Sequence, residues 1–377
     1  MDIKESFKST FNESCDYVSF SSGRINLIGE HIDYQGGLVM PAAISLGTYG
    51  AIKFTNDNIK LVYSENFKDS GIINISDLDF KKAWCDYIIG SIKALEKAGH
   101  HIGGFKLYIY SNLPISSGLS SSASLELLVL NIFNYQYNLG LSNLELAKLG
   151  KDVENNYLNL SSGIMDQAAI ALGKNNNAVL LNTSNLEYNY IPFDLGKYKL
   201  IIISSNKKRN LIDSKYNERV FETNKALDIL KKEYNIKHIC DLKPIELDKI
   251  KSLLNDDLLY RRVKHMITEN DRVIQTEKYL ENGDILSFCR ILNESNKSLR
   301  YDYEVTGYHL DVLLDAIYDA GAIGARMIGA GFGGVAIAII DCDLEDFKLK
   351  VNEKYKETGL LASFYEVKIV DGLKIEK

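Results

Sequence analysis

LPISSGLSSSASLE, at residues 113–126, gathers serines around Gly118 and then runs directly into an apolar segment. It follows FKLYIY (105–110), in which apolar and polar side chains alternate as in a strand. It precedes SLELLVLNIF (124–133), whose apolar side chains cover most of a helix surface. We therefore expect a strand, a Gly/Ser loop and a buried helix. In that arrangement, backbone N–H groups and the positive end of a helix dipole point at one place, where a phosphate can bind.

The same loop has a simpler interpretation. A Ser-rich segment before a helix is often only a flexible turn with an N-cap. The loop also lacks the terminal Gly-Lys-Ser/Thr of a Walker A motif, so the usual phosphate-binding lysine is absent. Other parts of the chain must decide between the two interpretations.

Composition indicates a globular enzyme or binding protein. The 377 residues exceed one typical domain, and a hydrophobic fraction of 46% with 25% charged residues supplies ample core. The net charge of −6 argues against nucleic acid or an anionic membrane as the main partner.

The cysteines and the N-terminus suggest a cytoplasmic protein. The five cysteines are scattered and form no CxxC pair, so neither a disulfide framework nor a zinc site is indicated. The first residues, MDIKESFKST, contain no apolar signal-peptide core, and no stretch approaches the length of a membrane span.

Local patterns predict two domains. Strand-like and helix-like segments alternate in the first half, for example at 50–54, 84–97 and 178–181. After a strand at 199–204, the chain is strongly helical from 214 to about 320 and returns to strand at 335–340 and 364–370. We therefore place a domain change near residue 195, giving domains 1–195 and 196–377.

A second informative stretch is SGRINLIGEHIDYQGGLVM, residues 22–40. Its block of carboxylates, imidazole and amide, bent by neighbouring glycines, could line a pocket that binds sugar hydroxyls, although an exposed turn is an equally good interpretation. Arg24 lies just upstream, where an arginine beside a phosphate loop could neutralise charge during phosphoryl transfer. Most single arginines, however, are surface or structural residues.

A third stretch, GARMIGAGFGGVAIAII (324–340), contains a GxGxxG pattern at Gly329, Gly331 and Gly334. We do not interpret it as a dinucleotide fingerprint, because it is expected to run from a helix at 311–320 through the glycines into a strand, the reverse of that motif. It indicates close backbone packing near a ligand, or a purely structural tight turn.

Together these stretches resemble a known family. GRINLIGEHIDY is similar to the galactokinase signature. PISSGLSSSASLE and GARMIGAGFGG resemble the second and third motifs of the galactokinase, homoserine, mevalonate and phosphomevalonate kinase superfamily. Three further segments also resemble galactokinases: SGIMDQ (162–167), SKYNER (214–219) and SLRYDYEVTGYHLD (298–311). The resemblance spans nearly the whole chain.

The resemblance implies a reaction, its catalytic residues and its sugar site. It implies ATP-dependent phosphorylation of α-D-galactose at the C1 hydroxyl, the step that opens the Leloir pathway. Asp166 would be the catalytic base and Arg24 its partner; without the motif, Asp166 would be interpreted as a helix N-cap. The implied sugar-binding residues are Glu30, His31, Ile32, Asp33, Gly163 and Tyr216.

The resemblance also implies a nucleotide and metal site. The residues implied for ATP are Ser64, Trp84, Tyr87, Ser116, Ser117, Gly118, Leu119, Ser120, Ser121 and Ser122. Mg²⁺ would be held by Ser122 and Glu154, since a hydroxyl and a carboxylate completed by phosphate oxygens suit a small, hard ion. Without the resemblance, Glu154 would be interpreted as a solvated helix residue and Trp84 as a core residue.

Some positions depart from the family pattern. Ile32 and Ile328 stand where threonine is usual, Val335 replaces a cysteine, and Ser116 and Ser117 replace glycine or alanine. No charged catalytic group is lost, so we expect activity to survive. The lost hydroxyls could alter hydrogen bonds that support the site and so change sugar preference.

The expected protein is therefore a two-domain α+β kinase. The family implies an N-terminal domain of the ribosomal-protein-S5 type, a C-terminal ferredoxin-like domain and an active site between them. We expect a cytoplasmic monomer with galactose and ATP as partners. Two alternatives remain: a kinase for a related sugar such as N-acetylgalactosamine, arabinose or galacturonate, and a catalytically silent sensor. Such sensors lose a Ser-Ala pair that is present here as Ser122 and Ala123.

Overall fold

A computed structural model describes residues 2–114, 118–159, 163–207 and 212–376. In these ranges the strands are β1 (Tyr17–Asn26), β2 (Leu38–Val39), β3 (Pro41–Phe54), β4 (Lys60–Ser64), β5 (Ile73–Asn74), β6 (Phe105–Ser111), β7 (Asn177–Asn182), β8 (Tyr188–Pro192), β9 (Lys199–Ser204), β10 (Gly324–Ile328), β11 (Val335–Ile340), β12 (Ser363–Glu366) and β13 (Leu373–Glu376). The α-helices are α1 (Ile3–Phe11), α2 (Asp86–Lys97), α3 (Ser121–Gln136), α4 (Asn143–Asp152), α5 (Met165–Ala171), α6 (Ile212–Leu230), α7 (Leu247–Leu254), α8 (Asp257–Glu281), α9 (Ile285–Ser298), α10 (Tyr308–Asp319) and α11 (Leu344–Tyr355). No helix in the described ranges is both long and apolar enough to cross a lipid bilayer.

The described strands form three sheets, in which neighbouring strands are often not consecutive along the chain. A six-stranded sheet has the order β13-β1-β3-β6-β4-β5, a three-stranded sheet has the order β2-β7-β8, and a four-stranded sheet has the order β10-β11-β9-β12. Neighbouring strands are antiparallel in most pairs, whereas β4 and β6 are parallel. Among the strands of the described residues, only β13 returns from the C-terminus to join strands of the N-terminal half. The domain boundary near residue 195 falls between β8 and β9 and stays a prediction.

Helix α3 is the buried helix that the Gly/Ser loop was expected to enter. Its leucines at 127, 128 and 130 are completely buried, and the helix packs against β1, β3, α2, α4 and α5. Each such leucine stabilises the fold by roughly 2 kcal/mol relative to an exposed position. This burial fixes the N-terminus of α3, and with it the loop at Gly118 to Ser120, relative to β1.

The sequence patterns predicted several elements correctly and one connection wrongly. The strands expected at 199–204 and 335–340 are confirmed as β9 and β11, and FKLYIY lies in β6. The third glycine-rich stretch, however, does not run from a helix into a strand. Strand β10 lies before the glycines and pairs antiparallel with β11, so the glycines form the turn of a hairpin. The strand expected at 364–370 is shorter, since β12 ends at Glu366.

Candidate active site

Asp166 and Arg24 form an ion pair that joins two elements. Asp166 lies in the first turn of α5, and Arg24 lies in β1 just after an irregularity in its pairing with β3. The arginine Nε and Nη2 lie 2.9 and 2.8 Å from Oδ1 of Asp166. The arginine side chain is almost fully buried, whereas that of Asp166 is 34% exposed. The predicted base is therefore held firmly and remains open on one side.

The same arginine fixes the Gly/Ser loop. Its Nη1 donates to the carbonyl oxygen of Gly118 at 2.6 Å, and its backbone N–H donates to the carbonyl oxygen of Leu119 at 3.2 Å. The Leu119 side chain is buried in the core, so only its backbone is available to a ligand of the loop. Ser116 and Ser117, also predicted for ATP, lie outside the described residues.

Ser120 contacts the predicted base. Its Oγ donates a 2.5 Å hydrogen bond to Oδ2 of Asp166. The sequence predicted this serine for ATP, but its hydroxyl points to the carboxylate. Only its backbone then remains for a nucleotide phosphate.

A cavity of about 580 Å³ is lined by Asp33, Gly163 and Tyr216, three of the residues predicted for the sugar. A Cβ placed on Gly163 would lie 2.2 Å from Oδ2 of Asp33, so only glycine allows this close approach. Partial burial, together with the nearby Asp166 carboxylate, raises the pKa of Asp33 to about 6. The sequence did not indicate Lys151, Asn155 and Asn159, which also line the cavity.

Glu30 and His31 are more deeply buried than Asp33. The ring of His31 lies 5.7 Å from that of Tyr216 and 5.1 Å from that of Tyr303. Burial, aided by the charge of a second histidine, lowers the pKa of His31 to about 3, so its ring is neutral. Burial raises the pKa of Glu30 to about 7, against the opposing charges of Arg326 and Arg24. A neutral imidazole can both donate and accept a hydrogen bond, as recognition of a hydroxyl requires.

Ile32, the remaining residue of the predicted sugar group, is fully buried in the apolar core. Its side chain packs so closely on Gly37 that a Cβ there would lie 2.7 Å from it. It does not line the cavity beside Asp33. A threonine at this position would place a hydroxyl among apolar neighbours.

A buried charge network supports Glu30, and sequence reasoning missed it. Arg326 in β10 pairs with the carboxylate of Glu30, and its Nη1 lies 3.3 Å from Oε1 of Glu269. Glu269 Oε1 also accepts from the backbone N–H groups of Gly29 and Glu30 at 3.0 and 3.1 Å. Although burial opposes its ionisation, Arg272, a neighbouring histidine and Arg326 hold the pKa of Glu269 at about 2. An arginine inside an otherwise apolar strand was the available sequence signal.

Five of the predicted nucleotide residues lie together. A cavity of about 270 Å³ is lined by Ser64, Trp84, Tyr87, Ser121 and Ser122, among others. The ring of Phe67, which the sequence did not indicate, stacks on Trp84 at 6.2 Å with an interplanar angle of 7°. Flat aromatic walls with a few polar groups suit a planar heterocycle.

The predicted metal ligands also meet. Ser122, in the first turn of α3, donates from Oγ to Oε1 of Glu154 at 3.1 Å. Glu154 is buried, in a π turn (Val153–Tyr157) that continues α4, and is therefore not the solvated residue that its local sequence suggested. Among the described residues, no three His, Cys, Asp or Glu side chains are grouped to hold a metal by themselves. This hydroxyl and carboxylate therefore fit Mg²⁺ only with ligands from phosphate and water.

Family profiles match three parts of the chain. Residues 5–54 match the galactokinase galactose-binding signature. Residues 86–174 match the N-terminal domain of GHMP kinases, and residues 276–357 match their C-terminal domain. These ranges contain Arg24 and Asp33, the phosphate loop with Asp166, and the third glycine-rich stretch, respectively.

Related proteins match over the full length. A galactokinase of Streptococcus suis (strain 05ZYH33) is 45% identical over 381 residues, covering 99% of this chain and 98% of that protein. A galactokinase of Clostridium perfringens (strain 13 / Type A) is 44% identical over 378 residues, covering 98% of each.

Solved structures agree with this grouping. Lactococcus lactis galactokinase complexed with galactose has a TM-score of 0.93 at 41% identity, covering 99% of this chain and 98% of that one. A mevalonate kinase has a TM-score of 0.66 at 22% identity, covering 94% and 99%, and shares the fold. The predicted two-domain α+β fold is thereby confirmed, and the chain belongs to the galactokinase family of the GHMP kinases.

Proposed function

We propose that this chain transfers the γ-phosphoryl group of ATP to the C1 hydroxyl of α-D-galactose, giving α-D-galactose 1-phosphate and ADP. The observation that carries the proposal is the Arg24–Asp166 pair. Its carboxylate is close enough to Asp33, which lines the larger cavity with Tyr216, to raise the pKa of Asp33, and its arginine contacts the loop at Gly118. A base between a polar cavity and a phosphate loop suits transfer to a sugar hydroxyl.

In the proposed mechanism, Asp166 accepts the proton of the C1 hydroxyl. The sugar oxygen forms a bond to the γ-phosphorus while the bond from that phosphorus to the ADP oxygen breaks, in line. Arg24 holds the Asp166 carboxylate in place and stabilises negative charge on the transferring group. The N-terminus of α3 and the backbone of residues 118–122 surround the phosphates, which replaces the absent Walker lysine.

Sugar recognition falls to Asp33, Glu30, His31 and Tyr216. Asp33 accepts hydrogen bonds from sugar hydroxyls, and its contact with Gly163 sets its position. Glu30 is oriented by Arg326, and the neutral ring of His31 lies against Tyr216. Ile32 acts by packing behind these residues and not by direct contact with the sugar.

ATP would place its adenine beside Trp84 and Tyr87, with Ser64 at the same wall. Ser122 and Glu154 would hold Mg²⁺. When bound, that ion neutralises charge on the β- and γ-phosphate oxygens. Residues 121 and 122 link the adenine site to the metal site, because both line the nucleotide cavity at the start of α3.

A coupled ADP-release assay over galactose, galactosamine, N-acetylgalactosamine, talose, arabinose and galacturonate tests the proposed function. We expect turnover with galactose and a fall in kcat of about 10²- to 10⁴-fold in Asp166→Asn and Arg24→Ala. Asp346→Asn is the matched control, because Asp346 pairs only with exposed Lys350 in the described residues. Turnover with another sugar but none with galactose would refute the proposed substrate. Normal turnover in Asp166→Asn would refute the base.

We also propose a domain division, an oligomeric state and a location for the chain. The chain would divide into domains 1–195 and 196–377 and act as a cytoplasmic monomer. The division is supported by the sheets: β8, before the boundary, belongs to the three-stranded sheet, and β9, after it, belongs to the four-stranded sheet. Light scattering coupled to gel filtration measures the oligomeric state, and a dimer mass would overturn the monomer.

A further inference from the structure

Ser120 has a backbone conformation that serine rarely adopts. Its φ and ψ are 62° and 49°, in the left-handed region, where a Cβ is disfavoured. It is the residue before the first turn of α3, the N-cap position, yet its side chain makes no capping hydrogen bond. Serine is favoured at N-caps because its hydroxyl accepts from the helix backbone. Neither the conformation nor the capping preference therefore explains a serine here.

The hydroxyl of Ser120 contacts Asp166 instead. The two carboxylate oxygens of Asp166 have different anchors: Oδ1 is held by Arg24, and Oδ2 accepts from Ser120. With one anchor on each oxygen, the carboxylate cannot rotate about its Cβ–Cγ bond without losing a charge-assisted hydrogen bond. The Asp166 side chain nevertheless stays one-third exposed. A carboxylate oxygen has two lone pairs, so Oδ2 can accept from a substrate hydroxyl as well as from Ser120.

The backbone on both sides of Ser120 fixes this contact. On the helix side, its carbonyl oxygen accepts the first bond of α3, from the N–H of Ser124 at 2.9 Å. On the loop side, the carbonyl oxygens of Leu119 and Gly118 accept from the backbone and side chain of Arg24. A strained residue that is fixed from both sides typically serves a functional geometry. Here that geometry places a hydroxyl on the base.

We propose that Ser120 is a positioning residue for the base, and not a side-chain ligand of ATP. This inference rests on the proposed role of Asp166. Ser120 holds Oδ2 at the position where the C1 hydroxyl gives up its proton. The sugar O–H bond breaks, the proton ends on Asp166, and Ser120 keeps its own proton throughout. A displaced carboxylate loses the near-attack geometry and slows the chemical step without weakening substrate binding.

Ser120→Ala and Ser120→Gly in the full chain test the proposal together. Both variants remove the hydroxyl, but only glycine also relieves the left-handed strain. We expect kcat to fall about 10- to 100-fold in both, with the calorimetric Kd of galactose and of ATP changed less than about twofold. Ser142→Ala is the matched control, since Ser142 is an ordinary N-cap in a capping box on α4. Its kcat should stay within about twofold of the parent chain.

Each contrary result has a distinct meaning. A raised Kd for ATP with unchanged kcat would make Ser120 a phosphate ligand and overturn the proposal. Normal kcat in Ser120→Gly with loss in Ser120→Ala would assign the effect to the backbone, and would overturn it too. Circular dichroism confirms that each variant is folded.

A double-mutant cycle separates this inference from the proposed function. In chains that already carry Asp166→Asn, Ser120→Ala should lower the residual single-turnover rate by less than about twofold, because the base that Ser120 positions is gone. A full further loss would show that Ser120 acts elsewhere. If Asp166→Asn alone is inactive while Ser120→Ala is normal, only this inference fails. If Asp166→Asn alone is fully active, the proposed base fails.

Discussion

Asp33 is a carboxylate whose surroundings disfavour its charge. Burial and the neighbouring Asp166 raise its pKa to about 6, so the folded chain holds this proton more tightly than the unfolded chain does. As pH rises from about 4 through 6, the unfolded state ionises first and folding stability is lost. Binding residues often carry such a cost, because their geometry serves the ligand.

Asp33→Asn should therefore stabilise the sugar-free protein and weaken its binding of galactose. We expect a gain on the order of 2 kcal/mol at pH 7.5, because the asparagine carries no charge, and a smaller gain at pH 5. Urea unfolding at both pH values measures it. The galactose KM should rise far more than that of ATP. Unchanged or lower stability at pH 7.5 would contradict this account of Asp33.

Arg326 is the cation on which two buried carboxylates depend. It contacts both Glu30 and Glu269, and all three side chains are almost completely buried. Removing one partner of such a group leaves uncompensated buried charge, which typically costs about 3–5 kcal/mol.

Arg326→Met should lower the free energy of unfolding by about that amount, as measured by urea denaturation. Arg300→Met is the comparison, because Arg300 pairs with more exposed aspartates and should cost about 1 kcal/mol or less. Equal losses in the two variants would indicate that the buried network has no special role in stability.

The sequence indicated those site residues that belong to recognisable motifs. Arg24 and Asp166, which the sequence paired, are in contact, and Gly163 lies against Asp33, a contact that the sequence did not indicate. The sequence could not indicate the Ser120 contact with Asp166, because it depends on a left-handed backbone that local propensity disfavours. Glu269 was missed because its partners lie in β10 and before β2, far along the chain.

The hairpin between β10 and β11 is the element that brings the second and third motifs together. Its turn contains Gly329, Gly331, Gly333 and Gly334, all with positive φ. A Cβ on Gly331 would lie 2.1 Å from the carbonyl oxygen of Val305, and one on Gly329 would lie 3.5 Å from that of Gly118. The turn therefore packs backbone to backbone, next to the phosphate loop.

Gly331→Ala should severely destabilise this turn and reduce kcat, whereas Gly359→Ala should cost only about 1 kcal/mol. The two glycines have nearly equal φ, 80° and 79°, but nothing lies within 4 Å of a Cβ on Gly359. Thermal unfolding and turnover of the two variants make the comparison. Similar behaviour in both would refute the close-packing explanation.

Sequence periodicity predicted the elements that have a clear local pattern of apolar residues. Strand β11, VAIAII, is a fully buried apolar run, and its predicted limits are confirmed. Strand β10 was missed because its five residues, GARMI, include an arginine and were grouped with the glycines. The π turn at Glu154 was missed because it continues the pattern of α4 without a break.

The C-terminal segment connects β1, which carries Arg24, to the residues that follow α5, the helix of Asp166. Strand β13 pairs with β1, which carries Arg24. Just before it, Gly372 accepts from the N–H of Ser22 at 2.8 Å and donates to the carbonyl oxygen of Gly173, beyond α5, at 3.1 Å. Single-sequence patterns could not predict this closure, because the paired residues lie at opposite ends of the chain.

Ending the chain at residue 370 should therefore lower both stability and kcat. Strand β1 would lose one paired neighbour, and α5 would lose its backbone link to β1. We expect a lower urea midpoint and a larger loss in kcat than in the Kd of ATP. Wild-type kcat in the shortened chain would show that this closure does not position the pair.

The most direct test of the proposed reaction is phosphorus and proton NMR of the product formed from galactose and ATP. We predict a single sugar phosphate whose phosphorus couples to the α-anomeric proton, formed in step with ADP and absent with Asp166→Asn. A phosphorus coupled to the C6 protons, or ADP release with no sugar phosphate, would contradict transfer to the C1 hydroxyl.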